Sequence, residues 1–362
     1  MPIDIFLGKI RVSKHAPPVF MPDIDVYFKG NVSLALSLLE KLKSAGASVV
    51  KGALIHDLDI CFDGPVNATY YKSGVGMVQE RYRDVLQRHV LPLKDAEIIY
   101  RRAADLGLEI VLTVYDFEGA DFAVAVGAGA LKVASSNITH APLIRYLARK
   151  NFPLIIDTGR STLEEIARAA TWAREAGAEK LVVQHSPAAP PAPLAQQNLR
   201  MMPTLGRVFN CLVGLSDHHA GVEMMLAAVA LGAVVIEKGV CSDDAEGDID
   251  LAHAARIRDV PAIINSINKV WEGLGASMRI LPSDRPRPTD RMGLVASRDI
   301  SAGGRLTVDN IRFALAVPEE TIPVENWDLV AGWAVCKPLF SGQPVSWGHV
   351  CQAGSDGNSS IR

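Results

Sequence analysis

Eight short runs rich in β-branched residues alternate with longer segments of helical periodicity, and this alternation limits the fold more than any other feature of the chain. The runs are PVFMPDI (18–24), SVVKGALI (48–55), LEIVLTVYD (108–116), GALKVASS (129–136), FPLIIDTG (152–159), KLVVQHS (180–186), CLVGLSD (211–217) and VVIEKG (234–239). A helix-like segment precedes all but the first. Strands that alternate with helices imply βαβ units and a parallel sheet. Eight units within about 275 residues suit a closed (β/α)8 barrel, the TIM barrel, better than an open doubly wound sheet. No GxGxxG follows the first run, which argues further against a dinucleotide-binding sheet.

Punctuation supports the helices. Ser161-Thr162-Leu163-Glu164 reads as a capping box with Ser161 as the N-cap. Gly107, Gly177 and Gly232 each follow an apolar helical pattern, where a left-handed C-cap favours a residue without Cβ. Residues 56–91 interrupt the rhythm. A βα insertion of that length is expected to be a lid or substrate loop.

The texture changes near residue 278. RILPSDRPRPTDRMG is a Pro/Arg-rich linker. Beyond it, DISAGGRLTVDNI (299–311) and LFSGQPVSWGHV (339–350) share one pattern of apolar residues around a glycine turn. They read as two equivalent arms of a small β-rich domain. The expected partition is a barrel over 1–277, a linker over 278–292, a small domain over 293–354 and a disordered tail.

Polar residues recur at the C-terminal end of every barrel run, where barrels of this kind carry their chemistry. Asp23 and Asp25 end the first run and Lys51 lies in the second. Thr113, Tyr115 and Asp116 belong to the third, Lys132, Ser135, Ser136 and Asn137 to the fourth, and Asp157, Thr158 and Arg160 to the fifth. Gln184, His185 and Ser186 close the sixth, Ser216, Asp217 and His218 the seventh, and Glu237 and Lys238 the eighth. A lysine inside an apolar strand is costly unless it meets an anion. Lys51 and Lys132, with the hydroxyls of Thr113, Ser135 and Ser216, therefore suggest a site for a phosphate and a carboxylate on one small molecule. The bland alternative is that each lysine pairs with a structural carboxylate such as Asp23 or Glu237.

Bulk properties narrow the partners. The net charge is −3 and no long basic run occurs, so nucleic acid and anionic membrane surfaces are not expected partners. The apolar run from Met224 to Ile236 is too short to span a bilayer. No signal-peptide pattern opens the chain, and five scattered cysteines without a CxxC fit reduced thiols, so a cytoplasmic location is expected.

Three stretches carry a resemblance to a known family: AGASVVK (45–51), LKVASSNITHAPLIRYLARKNFPLIIDTGRSTLEEI (131–166) and GLSDHHAGVEMMLAAVALGAVVIEK (214–238). The chain resembles the sialic acid synthase family, and its C-terminal repeat resembles that family's SAF, or antifreeze-like, domain, a β-clip. The resemblance implies condensation of phosphoenolpyruvate with an aldose of the N-acetylmannosamine type, with release of phosphate. It implies that Lys51, Thr113, Lys132, Ser135 and Ser216 hold phosphoenolpyruvate. Asp23 stands where the family has a glutamate, and with Lys51, Lys132 and Asp217 it completes the expected catalytic set. His218 matches the first of two histidine ligands of a divalent ion, Mn2+ or Mg2+, and the resemblance implies a domain-swapped homodimer.

Departures cluster in two places. Gly239 stands where the family has its second metal-ligating histidine. Another ligand (Cys241, His219, His185 or Glu237) replaces it, or no tightly bound metal is used. VYFKG, with Tyr27 and Phe28, replaces a polar INHNG motif. Asn137, Asp157 and Ser186, together with the HSPAAPPAP loop, fall where the family contacts its N-acetylated sugar. An acceptor other than N-acetylmannosamine, another sugar or aldehyde, is therefore expected. Two other readings stand beside the synthase: a non-catalytic homologue that binds a phosphorylated small molecule, and an aldolase or lyase that uses Lys132 as a Schiff-base nucleophile.

Overall fold

The structure is a computed structural model, and it describes residues 4–72, 74–187, 192–246, 250–278 and 290–352. The chain forms two compact units, Met1–Gly275 and Ala276–Arg362.

The first unit is a closed barrel of eight parallel strands: β1 (Val19–Asp23), β2 (Val49–Leu54), β3 (Glu109–Val114), β4 (Ala130–Val133), β5 (Leu154–Asp157), β6 (Leu181–His185), β7 (Leu212–Asp217) and β8 (Val235–Cys241). Each strand pairs with the next, and β8 returns to β1 through the register Val235–Val19 to Gly239–Asp23. Eight helices surround it: α1 (Val32–Ser44), α2 (Leu93–Asp105), α3 (Phe117–Ala125), α4 (Ala141–Ala148), α5 (Leu163–Glu175), α6 (Met201–Val208), α7 (Glu223–Ala230) and α8 (Val260–Leu274). All eight strand runs expected from the sequence are strands.

Strand alternation explains why the apolar runs carry polar residues. Successive side chains point to opposite faces. Outward residues such as Val50, Leu112, Leu131, Ile156, Val183 and Ile236 pack under the helices in one continuous core. Inward residues Val49, Val111, Ala130, Ile155, Val182 and Val235 fill the lower barrel, closed from below by Ile5, Leu7 and Val12 of an N-terminal hairpin. Two residues further along each of these six strands, the inward position holds Lys51, Thr113, Lys132, Asp157, Gln184 and Glu237, all buried. The apolar floor and the polar ceiling are thus one period-2 pattern, read at two heights.

Helix ends follow the sequence with one shift. Gly107, Gly177 and Gly232 adopt φ of 69°, 104° and 90° after their helices. The capping box of α5 lies one residue later than expected. The Thr162 hydroxyl accepts from the Glu165 amide and the Glu165 carboxylate accepts from the Thr162 amide. The insertion after β2 contains a hairpin, Asn67–Lys72 against Gly76–Arg81, and a short helix, Tyr82–Gln87.

In the second unit, Gly293–Ala296 pairs with Ile311–Ala314 and Ala334–Val335 with Val350–Cys351, both antiparallel. The two repeat arms meet each other. Ile300 and Leu339 exchange backbone hydrogen bonds of 2.8 and 2.9 Å, and the turn glycines Gly303 and Gly342 share φ of 85°. A small core of Leu294, Ile300, Leu306, Ile322, Val335, Leu339 and Val345 holds them. Most of the expected linker and nearly all of the expected disordered tail lie outside the described residues.

Candidate functional site

The polar ceiling opens into a cavity of about 420 Å³ at the C-terminal end of the barrel. Asp23, Lys51, Thr113, Lys132, Ser135, Asp157, Ser186, Ser216 and His218 all line it, so most of the expected site residues converge on one space. Asn137 and Asp217 do not line it. The Asn137 amide donates to the Tyr115 carbonyl at 3.4 Å. Asp217 pairs with Lys238 at 2.7 Å in full burial, and Lys238 also donates to the backbone carbonyls of His219 and Gly221. That pair fastens the loop after β7.

Both cavity lysines are already paired. Lys51 Nζ lies 2.9 Å from Asp23 and 3.1 Å from Asp25, with Glu237 at 3.8 Å. Lys132 Nζ lies 2.6 Å from Glu237 and 2.8 Å from Asp157. Burial alone pushes the Lys51 ammonium toward losing its proton, but Asp23, Asp25 and Glu237 outweigh it and hold its pKa well above the usual lysine value. Lys132 behaves alike: burial lowers its pKa, and Asp157 and Glu237 more than restore it. Asp157 is pushed up by burial and drawn down further by Lys132, so it stays ionised. Two ammonium groups against four carboxylates leave these six groups with a formal charge of −2.

Other groups look for a partner. Thr113 Oγ1 is buried at the cavity wall with no hydrogen bond among the described residues, and the buried Gln184 side-chain oxygen has none either. A buried polar atom left unpaired costs about 1–3 kcal/mol, which a bound ligand can recover. Arg160 lines the same cavity with a left-handed φ of 58°.

The loop after β8 adds residues that the sequence reading missed. Asp250 lines the main cavity, at φ 65°. Burial raises its carboxyl pKa to about 6 despite the nearby His218. His253 packs its ring 4.9 Å from that of His218, and burial, then His218, lowers its pKa to about 2. The available signal was topological: a βα loop of a barrel faces the site whatever its sequence.

A divalent ion held by the implied ligands does not fit. A Cβ on Gly239 would lie 2.0 Å from the Tyr27 hydroxyl oxygen, so the place of the second histidine is filled by the Tyr27 ring. The four possible substitutes are engaged elsewhere. Cys241 bonds Arg256 and the Ala255 carbonyl, His219 pairs with Glu223 at 3.3 Å, His185 bonds the Gln197 carbonyl at 2.7 Å, and Glu237 holds Lys132. Among the described residues, no three His, Cys, Asp or Glu side chains gather on a metal position.

Comparison with known proteins agrees with this architecture. The family model described as "NeuB family" matches residues 38–279, and the "SAF domain" model matches residues 291–350. The chain is 28% identical over 311 residues to the uncharacterized protein MJ1065 of Methanocaldococcus jannaschii, covering 85% of this chain and 88% of that protein. It is 27% identical over 332 residues to the N,N'-diacetyllegionaminic acid synthase of Legionella pneumophila, covering 90% of this chain and 92% of that one. The crystal structure of N-acetylneuraminic acid synthetase from Leptospira borgpetersenii in complex with citrate superposes with a TM-score of 0.69 at 21% identity, over 78% of this chain and 94% of that one.

Proposed function

The chain belongs to the NeuB family, and we propose that it condenses phosphoenolpyruvate with an aldehyde-bearing sugar, forming a 2-keto-3-deoxy acid of the nonulosonic type and free phosphate. The observation that carries this reading is that Lys51, Thr113, Lys132, Ser135 and Ser216, which the family resemblance assigns to phosphoenolpyruvate, all line one cavity. In that reading C3 of phosphoenolpyruvate attacks the acceptor's carbonyl carbon, water adds at C2, and the C–O bond to phosphate breaks. Lys51 and Lys132 stabilise the charge that moves onto the leaving phosphate. Thr113 donates its free hydroxyl to the bound anion.

The test is release of phosphate and of a 2-keto acid from phosphoenolpyruvate with N-acetylmannosamine, N-acetylmannosamine 6-phosphate, mannose and arabinose. Turnover with any one of them supports the reading. Failure of phosphoenolpyruvate to bind at all contradicts it.

The two extra carboxylates give a sharper expectation. An incoming phosphate must compete with Asp157 for Lys132. Asp157→Ser frees one side of that ammonium and removes a like charge from the site. Phosphoenolpyruvate affinity is expected to rise about tenfold or more, given that like-charge repulsion at close range is worth more than 1.4 kcal/mol. Unchanged or weaker binding in a titration would place the phosphate elsewhere.

The saturated lysines also favour one rival, a homologue that binds a ligand without turnover. Binding of phosphoenolpyruvate with no product from any aldose would support it. The Schiff-base reading has no such support. A nucleophilic lysine needs a lowered pKa, and Asp157 and Glu237 hold that of Lys132 up.

We also propose a homodimer. Light scattering is expected to give twice the 38.9 kDa of one chain, and a monomer at micromolar concentration would contradict it. Among the described residues no helix is long and apolar enough to cross a membrane.

A further inference from the structure

Gly239 and Tyr27 are far apart in sequence, and the barrel brings them together. Gly239 pairs in register with Asp23 at the rim of β8 and β1. Tyr27 follows four residues later and turns back over that rim, buried to 6% exposure. Its hydroxyl oxygen lies 2.0 Å from where a Cβ on Gly239 would stand, and its ring carbon Cζ 2.6 Å. Glycine at 239 is therefore the condition for Tyr27 to be where it is. Any larger side chain there and this tyrosine exclude each other.

Tyr27, Asp23, His218, Gly239, Asp250 and His253 enclose a pocket of about 40 Å³. It shares Asp23, His218 and Asp250 with the main cavity. A volume above about 10–15 Å³ accommodates one water-sized atom group, so this pocket has room for a carbonyl oxygen. The surrounding groups are mostly acceptors. Tyr27 brings a phenol, which is protonated at neutral pH and can donate.

We propose that Tyr27 takes over the task of the absent histidine's ligand set: its hydroxyl donates a hydrogen bond to the acceptor's carbonyl oxygen, and the site needs no divalent metal. This rests on the phosphoenolpyruvate reading above. As the C3–carbon bond forms, the electron pair of the acceptor's C=O moves onto oxygen, which takes the Tyr27 proton. Water adding at C2 gives up one proton that restores Tyr27. Its second proton leaves with phosphate as the C2–O bond breaks. No oxidant or further reactant is required.

The experiment has two arms. In the first, Mn2+ is titrated into the unaltered protein with phosphoenolpyruvate present, and free Mn2+ is read by its electron paramagnetic resonance signal. No stoichiometric uptake is expected, whereas the double variant Tyr27→Ala/Gly239→His gains one Mn2+ per chain. Uptake of one equivalent by the unaltered protein that His218→Ala removes would overturn the proposal. In the second arm, Tyr27→Phe is assayed with whichever of the four aldoses releases phosphate. Loss of one such donor lowers kcat about 10²- to 10³-fold, with KM for phosphoenolpyruvate little changed. A Tyr27→Phe enzyme with unaltered kcat would overturn the assignment. The manganese arm reads the proposal even if none of the aldoses reacts. Failure of the unaltered protein to bind phosphoenolpyruvate would instead remove the functional reading beneath it.

Discussion

Lys132→Met is expected to abolish phosphoenolpyruvate binding and to lower the melting temperature of the barrel by roughly 5–10 °C. The reason lies in what the ammonium neutralises. Lys132 is 3% exposed and sits between Glu237 at 2.6 Å and Asp157 at 2.8 Å. Removing one partner of a buried ion pair costs about 3–5 kcal/mol, because the remaining charge is left in low dielectric. A cost of about 3 kcal/mol shifts the melting of a domain this size by roughly that many degrees. The loss also has a definite pH dependence. In the unaltered protein Lys132 holds the Asp157 pKa below its unfolded value. That contribution is complete above the unfolded carboxylate pKa and fades as pH falls through the depressed folded one. In the variant Asp157 keeps the burial that raises its pKa and loses the ammonium that lowers it, so it gains a proton more readily on acidification. The gap between the two melting curves is therefore widest near neutral pH and narrows toward about pH 4. A constant gap across that range would mean that packing, and not charge, accounts for the loss.

Gly239→Ala is expected to destabilise the barrel by about 2–3 kcal/mol, the upper range for overpacking a filled core. The new methyl would meet the Tyr27 hydroxyl at 2.0 Å and its ring at 2.6 Å. Neither partner can retreat easily. Gly239 lies within β8, paired to Asp23, and the Tyr27 ring packs against buried Cys241 and Leu251. The diagnosis is checked by a double-mutant cycle in chemical denaturation. In a Tyr27→Ala background the same Gly239→Ala change is expected to be close to neutral, since the space it needs has been emptied. Equal losses in both backgrounds would mean that the glycine serves something other than this approach.

Much of the fold was legible because two simple periodicities carried it. All eight strands were readable from β-branched runs, and Gly107, Gly177 and Gly232 marked the helix ends by their need for positive φ. The α5 capping box was displaced by one residue because Ser161-Thr162-Leu163-Glu164-Glu165 offers two overlapping solutions, and the helix takes Thr162 with Glu165.

The site was legible to the depth of single strands. Each inward polar residue could be placed at a strand end, so Lys51, Thr113, Lys132, Asp157 and Ser216 were found. Pairings across the barrel were not legible. Nothing local in the chain joins Lys132 to Glu237, 105 positions later, or brings Tyr27 onto Gly239. Asn137 and Asp217 looked alike in sequence to their neighbours, yet one turns to the Tyr115 carbonyl and the other closes on Lys238. Asp250 escaped notice because it lies in an irregular loop with no periodicity to read.

The central claim is that the barrel's polar ceiling is a phosphoenolpyruvate site. Isothermal titration of phosphoenolpyruvate tests it most directly, on the unaltered protein and on Thr113→Val, which keeps shape and removes only the unpartnered hydroxyl. The account predicts saturable one-to-one binding, weakened in Thr113→Val about tenfold, as befits a lost hydrogen bond to a charged group of about 1.5 kcal/mol. Absence of binding to the unaltered protein, or binding indifferent to Thr113, would contradict it.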